Sequence, residues 1–258
     1  MTRVLTALLL IPLAVGLIFF APPLAVRAAL AAVALLCLRE CFHIVQTMGV
    51  EPFRPAAYAA GAVLIVTSVP LGGFLIGVLV LLMVLTLQRS RHEVALIAVA
   101  STLFALIYTC GPFALARRLH DMSPHWLFAV LLVNWVGDSA AMYVGKAFGR
   151  HKLAPSISPG KSWEGAIASV VLGSAAGTAY LLHFLSGAES LAFLLGLSLV
   201  ANVAGQLGDL AESVLKRGAR IKDSGELLPG HGGMLDRMDG ALFAFPAAYL
   251  YLVVSTWR

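Results

Sequence analysis

Long apolar stretches separated by short polar segments follow one another along the whole chain of 258 residues. A helix needs about 20 apolar residues to cross the hydrocarbon core of a membrane. The third and fourth stretches are short and separated at 70–73 by Pro-Leu-Gly-Gly, so they form either two short spans or one broken, re-entrant unit. The pattern predicts an all-α, polytopic integral membrane protein with about nine transmembrane helices, near residues 4–21, 24–46, 56–70, 72–88, 94–116, 125–146, 165–185, 190–214 and 239–256.

The composition agrees with a membrane protein. Hydrophobic residues make up 60% of the chain and charged residues only 12%, whereas soluble domains carry roughly 25% charged residues. No room remains for a separate soluble domain, so we expect one membrane-embedded domain over 1–258, with an N-terminal helical part (1–124) and a motif-bearing part (125–258). The three cysteines lie inside apolar stretches and are predicted to be small residues that face lipid or pack within the bundle: Cys37, Cys41 and Cys110.

The distribution of basic residues predicts the orientation in the membrane. With nine spans, one side receives the N-terminus and every connection after an even-numbered span. That side collects 14 of the 18 Lys and Arg residues, and basic residues mark the cytoplasmic side. We therefore expect a multi-pass plasma-membrane protein whose N-terminus and two most polar connections, 145–164 and 213–239, are cytoplasmic. No nucleic-acid partner is expected.

The eighth stretch carries a polar stripe. Its members recur at helical spacing and share one face: Asn202, Gln206, Asp209 and Ser213, extended by Glu212 and Lys216. Hydrogen bonds between helices explain many Asn and Gln residues in membranes, but packing does not require a carboxylate, so Asp209 indicates a functional site. In the sixth stretch, Asp138 follows Asn134 by one turn and is a weaker candidate, with pairing to a neighbouring cation as the alternative.

The connection 145–164 contains Gly160-Lys161-Ser162, which resembles the end of a P-loop. The glycine that a P-loop requires five positions before Gly160 is Pro155 here, and no strand is predicted before it, so that interpretation is rejected. What remains is a Ser-Pro-Gly-Lys-Ser turn at the start of a helix. Backbone N–H groups there, beside Lys161 and Ser162, favour an anion.

The connection 213–239 has the residues needed to handle phosphates with a divalent metal. A cluster of cations comes first: Lys216, Arg217, Arg220 and Lys222. His231-Gly232-Gly233 then allows a positive φ or a close approach to a ligand. Asp236 and Asp239, three residues apart at the start of the last helix, are oxygen ligands of the kind that suits Mg²⁺, although one of them is alternatively a charge that offsets the helix dipole. Convergence of Asp209, Asp236 and Asp239 requires the last two helices to be neighbours.

At these residues the chain resembles the phosphatidate cytidylyltransferase (CDP-diacylglycerol synthase) family. The family pattern is matched at Ser213, Leu215, Lys216, Arg217, Lys222, Asp223, Gly225, Leu228, Pro229, His231, Gly232, Gly233, Met234, Asp236, Arg237, Met238 and Asp239. The segments 138–165 and 205–212 are also similar to the family's sequence, so the resemblance is specific over 130–258. One position departs from it, since Met142 stands where the family usually has an aromatic residue, and Tyr143 follows about 100° around the helix.

The resemblance implies transfer of a cytidylyl group from CTP to phosphatidic acid, with release of pyrophosphate, by a membrane homodimer that uses Mg²⁺ and a monovalent cation such as K⁺. It implies catalytic roles for Asp209, Asp236, Lys222 and Arg237. Mg²⁺ would be held by Asp209, Asp236 and Asp239. Substrate binding is expected at Lys161, Ser162, Ser213, Lys216, Arg217, His231, Gly232 and Gly233, with Asp138, Glu212 and Asp223 as weaker candidates.

Two alternatives to this function stay open at the level of sequence. One is a related enzyme that acts on another lipid phosphate, such as an isoprenoid ether lipid. The other is a transporter with an ion site on Asp138 and Asp209, although the paired broken helices typical of transporters are absent from the pattern. A CDP-alcohol phosphotransferase is excluded, because Asp239-Gly240 is followed by neither the arginine nor the later carboxylates that its motif requires.

Overall fold

The computed structural model describes residues 2–88, 92–185, 189–225 and 232–255. Of the residues named above, Leu228, Pro229 and His231 lie outside these ranges, as do Arg89, Arg91 and Arg258 among the 18 basic residues counted. Within the described ranges the chain forms nine helices and one short hairpin. The helices are α1 (Thr2–Phe20), α2 (Pro23–Thr47), α3 (Arg54–Val66), α4 (Leu71–Thr86), α5 (Ala95–Met122), α6 (Pro124–Phe148), α7 (Trp163–Phe184), α8 (Leu191–Gly218) and α9 (Leu235–Ser255).

The bundle is a multi-pass membrane protein. Among the described residues, six helices are long and apolar enough to cross a bilayer: α2, α5, α6, α7, α8 and α9. Large apolar side chains such as Leu96, Ile167 and Val254 lie exposed on their outer faces, as expected of helices whose solvent is lipid. The all-α membrane class is therefore confirmed. Helices α3 and α4 are shorter apolar helices separated at 67–70, so nine full crossings remain a prediction.

Long-range contacts show which helix ends lie together. Arg117, near the end of α5, donates to the Ser68 hydroxyl just after α3, and Arg27, near the start of α2, pairs with Asp121. At the other end of the bundle, the end of α8 reaches the connection after α6 through Arg217 and the carbonyl of Ile157. Successive long helices therefore cross the bundle in alternating directions. We call the end of the bundle at which α6 and α8 end the site end.

The connection between α6 and α7 is predicted to be a turn without strands, and the structure differs from that prediction. Residues 152–154 and 158–162 form β1 (Lys152–Ala154) and β2 (Ser158–Ser162), an antiparallel two-stranded hairpin. β1 has only three residues, and β2 (Ser-Pro-Gly-Lys-Ser) shows no alternation of apolar and polar positions, so neither strand leaves a period-two pattern. The hairpin matters for the site because it holds Lys161 in extended backbone next to α7.

Close helix packing at the site end depends on glycine. A Cβ on Gly208 of α8 would lie 2.5 Å from the carbonyl oxygen of Asp239 in α9. A backbone atom cannot give way as a flexible side chain does, so α8 and α9 approach this closely only with glycine. Gly208 therefore lets Asp209 and Asp239 lie on directly neighbouring helices.

We expect Gly208→Ala to lower the free energy of unfolding by about 1–3 kcal/mol, because the added methyl forces α8 and α9 apart. Gly111→Ala in α5 is the matched control, since a Cβ there meets nothing within 4 Å. Thermal unfolding in detergent, followed by circular dichroism, measures both. Equal melting temperatures for the two variants would show that the tight α8–α9 contact does not form.

Candidate active site

A half-open cavity of about 150 Å³ lies at the site end between α6, the hairpin, α7 and α8. Lys161 from β2 and Asp209 from α8 lie in its wall and form an ion pair, with 2.6 Å between Nζ and Oδ2. Asp138 from α6 also lines it. Both members of the ion pair keep some exposure, 24% for Lys161 and 37% for Asp209. A charged pair that reaches solvent at the wall of a cavity can exchange its partner for a charged ligand.

Carboxylates from three helices gather beside this cavity. Asp138 of α6 and Asp209 of α8 line it, and the backbone of Asp239 on α9 packs against Gly208, next to Asp209. Nearby acidic groups of this kind need cations to offset their charge. Within the described residues, however, no group of three or more His, Cys, Asp or Glu side chains is arranged to hold a metal by itself. Any metal here would need oxygen atoms from a substrate to complete its ligands.

Asp236 occupies a different position from the one predicted for a free metal ligand. Its Oδ1 lies 2.5 Å from Lys216 Nζ, and its Oδ2 accepts from the N–H groups of Ser224 and Gly233, at 2.9 and 2.8 Å, and from the Ser224 hydroxyl. Lys216 is also in direct ion-pair contact with Glu212, whose side chain is fully buried. A metal at Asp236 would have to displace Lys216.

The polar stripe on α8 divides into two parts. Asn202 lies within hydrogen-bond distance of Ser169 in α7, and Gln206 donates to the carbonyl of Ala166 and to Asn202. These two amides join α7 to α8, as the interhelical alternative expected. Asp209, Glu212 and Lys216 instead take part in ion pairs. Ser213 lies half-buried between them.

The predicted phosphate ligands occupy varied positions. Ser162 is buried and caps α7, since its hydroxyl oxygen accepts from the N–H of Gly165. Arg217 donates to the carbonyls of Ile157 and Ile221. Lys222, Asp223 and Arg237 are exposed. Gly232 has a φ of +74°, which confirms the left-handed backbone expected of the His-Gly-Gly segment; His231 itself is outside the described residues.

The departure from the family pattern falls on the cavity wall. Met142 lines the cavity, whereas Tyr143 is among the exposed residues and not among those of its wall. One position on a helix turns the side chain by about 100°, so Tyr143 does not take the place of the usual aromatic. A flexible thioether therefore borders the space beside Asp138.

Two residues that were not predicted from the sequence, Ser224 and Glu40, contact the site residues in the structure. Ser224 binds Asp236, and the buried Glu40 of α2 binds Ser224 and the N–H groups of Met234 and Leu235. A signal for Glu40 was present, because an ionisable residue in an otherwise apolar stretch is by default a functional candidate. Ser224 left no such signal.

A lipid-facing helical bundle with a charged, half-open cavity at one end defines a multi-pass membrane protein. The chain belongs to the cytidylyltransferase family, whose model matches residues 1–255.

Curated relatives extend the comparison. The chain is 36% identical over 166 residues to a phosphatidate cytidylyltransferase of Staphylococcus aureus (strain COL), 64% of this chain and 64% of that protein. It is 42% identical over 138 residues to one of Bacillus subtilis (strain 168), 54% of this chain and 51% of the relative. For one of Haemophilus influenzae the identity is 40% over 162 residues, 60% and 56%. The chain thus spans less than two thirds of the length of these relatives.

Proposed function

We propose that this chain transfers a cytidylyl group from CTP to phosphatidic acid and so forms CDP-diacylglycerol for phospholipid synthesis. An oxygen of the lipid phosphate attacks the α-phosphorus of CTP, the bond between the α-phosphorus and its bridging oxygen to the β-phosphorus breaks, and pyrophosphate leaves with that electron pair. The observation that carries the proposal is the Lys161–Asp209 pair in the cavity at the site end. Family membership and the names of the relatives support the choice of nucleotide and lipid.

The reaction requires no covalent intermediate with the protein. The lipid phosphate is already an anionic nucleophile, so the side chains mainly position two anions and offset their charge. Lys161 has a partly exposed ammonium group in the cavity and serves as the cation nearest the reacting phosphates. Exposed Lys222, Arg237 and Arg217 provide a basic approach for the triphosphate, whereas Lys216 is buried between Glu212 and Asp236.

The donor set fits Mg²⁺. Mg²⁺ is usually held by one or two carboxylates together with substrate phosphates rather than by a cage of protein ligands, and the gathered carboxylates provide such ligands in Asp209 and Asp239. Of the three predicted ligands, Asp236 has protein donors at both oxygens. Asp209 is paired with Lys161 through Oδ2 alone, and Asp239 accepts from the N–H of Gly240 through Oδ1. Bound at Asp209 and Asp239, the metal would neutralise charge on the nucleotide and on the leaving pyrophosphate.

The depth of the site suits a water-soluble nucleotide and a membrane lipid. Helix α8 has 28 residues and is about 42 Å long, about 12 Å more than the hydrocarbon core of roughly 30 Å. Asp209 lies nine residues before the end of α8, which is about 14 Å along the axis. If α8 enters the core at its first residue, Asp209 lies about 2 Å inside the hydrocarbon boundary, just below the lipid headgroups. We place this end at the cytoplasmic face of the plasma membrane, where the basic residues are concentrated.

A related enzyme that acts on another lipid phosphate is the second candidate, because an acceptor with the same phosphate and a different tail fits the same charges. The transporter alternative has less support. Helices α6 and α8, which carry Asp138 and Asp209, are continuous, whereas transporter sites favour broken helices.

An assay of the purified protein in detergent distinguishes these candidates. We expect CTP and phosphatidate to give CDP-diacylglycerol only when Mg²⁺ is present, and an isoprenoid ether lipid phosphate to compete weakly. Asp236→Asn is expected to lower the rate by about 10²-fold or more, because Lys216 loses a charged partner and the nearby cationic site is reorganised. Near-normal activity of Asp236→Asn would remove Asp236 from the reaction, and a preference for the ether lipid would change the assigned acceptor.

The resemblance also leads us to propose a homodimer and a monovalent cation such as K⁺ beside Mg²⁺. The mass of the detergent-solubilised particle, corrected for bound detergent, tests the first. Replacement of K⁺ by a large organic cation at constant ionic strength, with the rate as readout, tests the second.

A further inference from the structure

Glu40, in the part of α2 that approaches the site end, is a carboxylate with no role in the function proposed above. It is only 7% exposed. Burying a charge without compensation is costly, so its surroundings must provide partners. They come from segments that are 184–195 residues further along the chain.

The first partners are backbone groups at the beginning of α9. Oε1 of Glu40 accepts from the N–H of Met234 at 2.9 Å, and Oε2 accepts from the N–H of Leu235 at 2.7 Å. The first N–H groups of a helix have no partner within the helix, and its dipole favours a negative charge there. Glu40 therefore caps α9 from another helix and determines where α9 begins.

The second partner connects Glu40 to Asp236. The Ser224 hydroxyl lies 3.0 Å from Oε2 of Glu40 and 2.9 Å from Oδ2 of Asp236. One hydroxyl has one hydrogen, so the two carboxylates share a single donor. The same Oδ2 of Asp236 accepts from the N–H groups of Ser224 and Gly233. Both carboxylates are therefore hydrogen-bonded to Ser224 and to the segment 233–235 at the start of α9.

Two glycines show how closely the surrounding backbone fits Glu40. A Cβ on Gly225 would lie 2.8 Å from Oε1 of Glu40, and a Cβ on Gly233 would overlap both Oε2 and the Ser224 hydroxyl. The carboxylate therefore occupies a cradle of fixed shape. Displacement of Glu40 moves the backbone that orients Asp236.

We propose that Glu40 is a positioning residue for the reaction: through Ser224 and the first N–H groups of α9, it fixes the orientation of Asp236 and thereby of Lys216. This inference rests on the proposed function, since it assigns Glu40 to the same site. Glu40 is not among the residues that line the cavity with Lys161 and Asp209. Its loss should therefore affect turnover more than binding of the lipid.

The test uses Glu40→Gln, Ser224→Ala and the double variant in the full chain. Glu51→Gln is the control, because it makes the same chemical change at an exposed residue after α2. We expect Glu40→Gln to lower kcat by about 10- to 100-fold, since small misplacements of reacting groups have effects of this size, and to change KM for phosphatidate less than about threefold. Ser224→Ala should lower kcat by about 2- to 10-fold. The double variant should lose less than the product of the two single losses, because both act through one contact.

Hydrogen exchange provides a readout that does not depend on activity. In Glu40→Gln the amides of Met234 and Leu235 should exchange faster than in the wild type, and in Glu51→Gln they should not. Faster exchange with unchanged kcat would reduce Glu40 to a helix cap and overturn the proposal, as would multiplicative losses in the double variant. If Glu40→Gln does not fold, Ser224→Ala decides alone, and an unchanged kcat overturns the proposal.

Failure of the proposed function gives a separate pattern. In that case the wild type and Glu51→Gln form no CDP-lipid, while exchange of the Met234 and Leu235 amides still shows whether Glu40 binds them.

Discussion

Asp209→Asn is expected to lower kcat for CDP-lipid formation by about 10²- to 10³-fold, the cost typical of removing one preorganised electrostatic group from an active site. The substitution keeps the shape of the side chain but removes the charge that faces Lys161 at 2.6 Å. It also removes the acidic group best placed, with Asp239, to hold a divalent metal against the nucleotide. Initial rates at saturating CTP and phosphatidate, with Mg²⁺ varied, measure the effect.

Glu189→Gln is the matched control, because Glu189 is an exposed carboxylate in the connection before α8, at the opposite end of that helix from the site. Its kcat should equal that of the wild type. A kcat for Asp209→Asn within about threefold of the control would separate Asp209 from the chemistry and leave the Lys161–Asp209 pair as a structural contact.

Lys216→Met is expected to lower the free energy of unfolding by about 3–5 kcal/mol, the usual cost of removing one partner from a buried ion pair. Lys216 is the cation between Glu212 and Asp236, and the side chain of Glu212 is fully buried. Without the ammonium group, two neighbouring carboxylates repel each other in a poorly solvated place. Melting temperatures in detergent measure the loss.

Two further variants show whether charge is the cause. Lys152→Met removes an exposed lysine from β1 and should leave the melting temperature unchanged. Adding Glu212→Gln to Lys216→Met should restore part of the lost stability, because it removes one of the two repelling carboxylates. If Lys216→Met unfolds at the wild-type temperature, the ion pairs with Glu212 and Asp236 do not contribute to the fold.

The sequence predicted the helices well because hydrophobicity over about 20 residues is a strong local signal. Each of the nine apolar stretches coincides with a helix. The boundaries differ where a long-range contact sets them. Helix α5 is predicted to end near 116 and continues to Met122, where Asp121 pairs with Arg27 of α2 and Arg117 donates to the Ser68 hydroxyl. The last apolar span is predicted near 239–256, and α9 begins at Leu235, where Glu40 caps it, so that Asp236 and Asp239 lie at its start as predicted.

The site was predictable in its residue types and only partly in its pairing. Spacing along one helix placed Asp209, Glu212 and Lys216 together, since helical geometry is local. Contact between Lys161 and Asp209 depends on a hairpin that no local pattern indicated. Of the two alternatives for the cysteines, packing within the bundle is the one observed, since all three are free and buried: Cys37, Cys41 and Cys110.

Glu40 shows most clearly where prediction from sequence stopped. Glu40 lies in a stretch whose average hydropathy is high, because the other 22 residues of α2 outweigh its three charged residues, Arg27, Arg39 and Glu40. Its partners lie more than 180 residues away, and only the packing of α2 against α9 brings them together. A buried charge within a span is better treated as a question about its partners than as an exception to the average.

The most direct test of the central claim follows the two ends of the CTP triphosphate in separate reactions. Purified protein is incubated with phosphatidate, Mg²⁺ and CTP labelled at either the α- or the γ-phosphorus. The proposed reaction predicts that α-label enters the lipid fraction in equal amount to the pyrophosphate released, and that γ-label appears only in pyrophosphate. Label from the γ-position in the lipid, or no label in the lipid from either position, would contradict cytidylyl transfer by this chain.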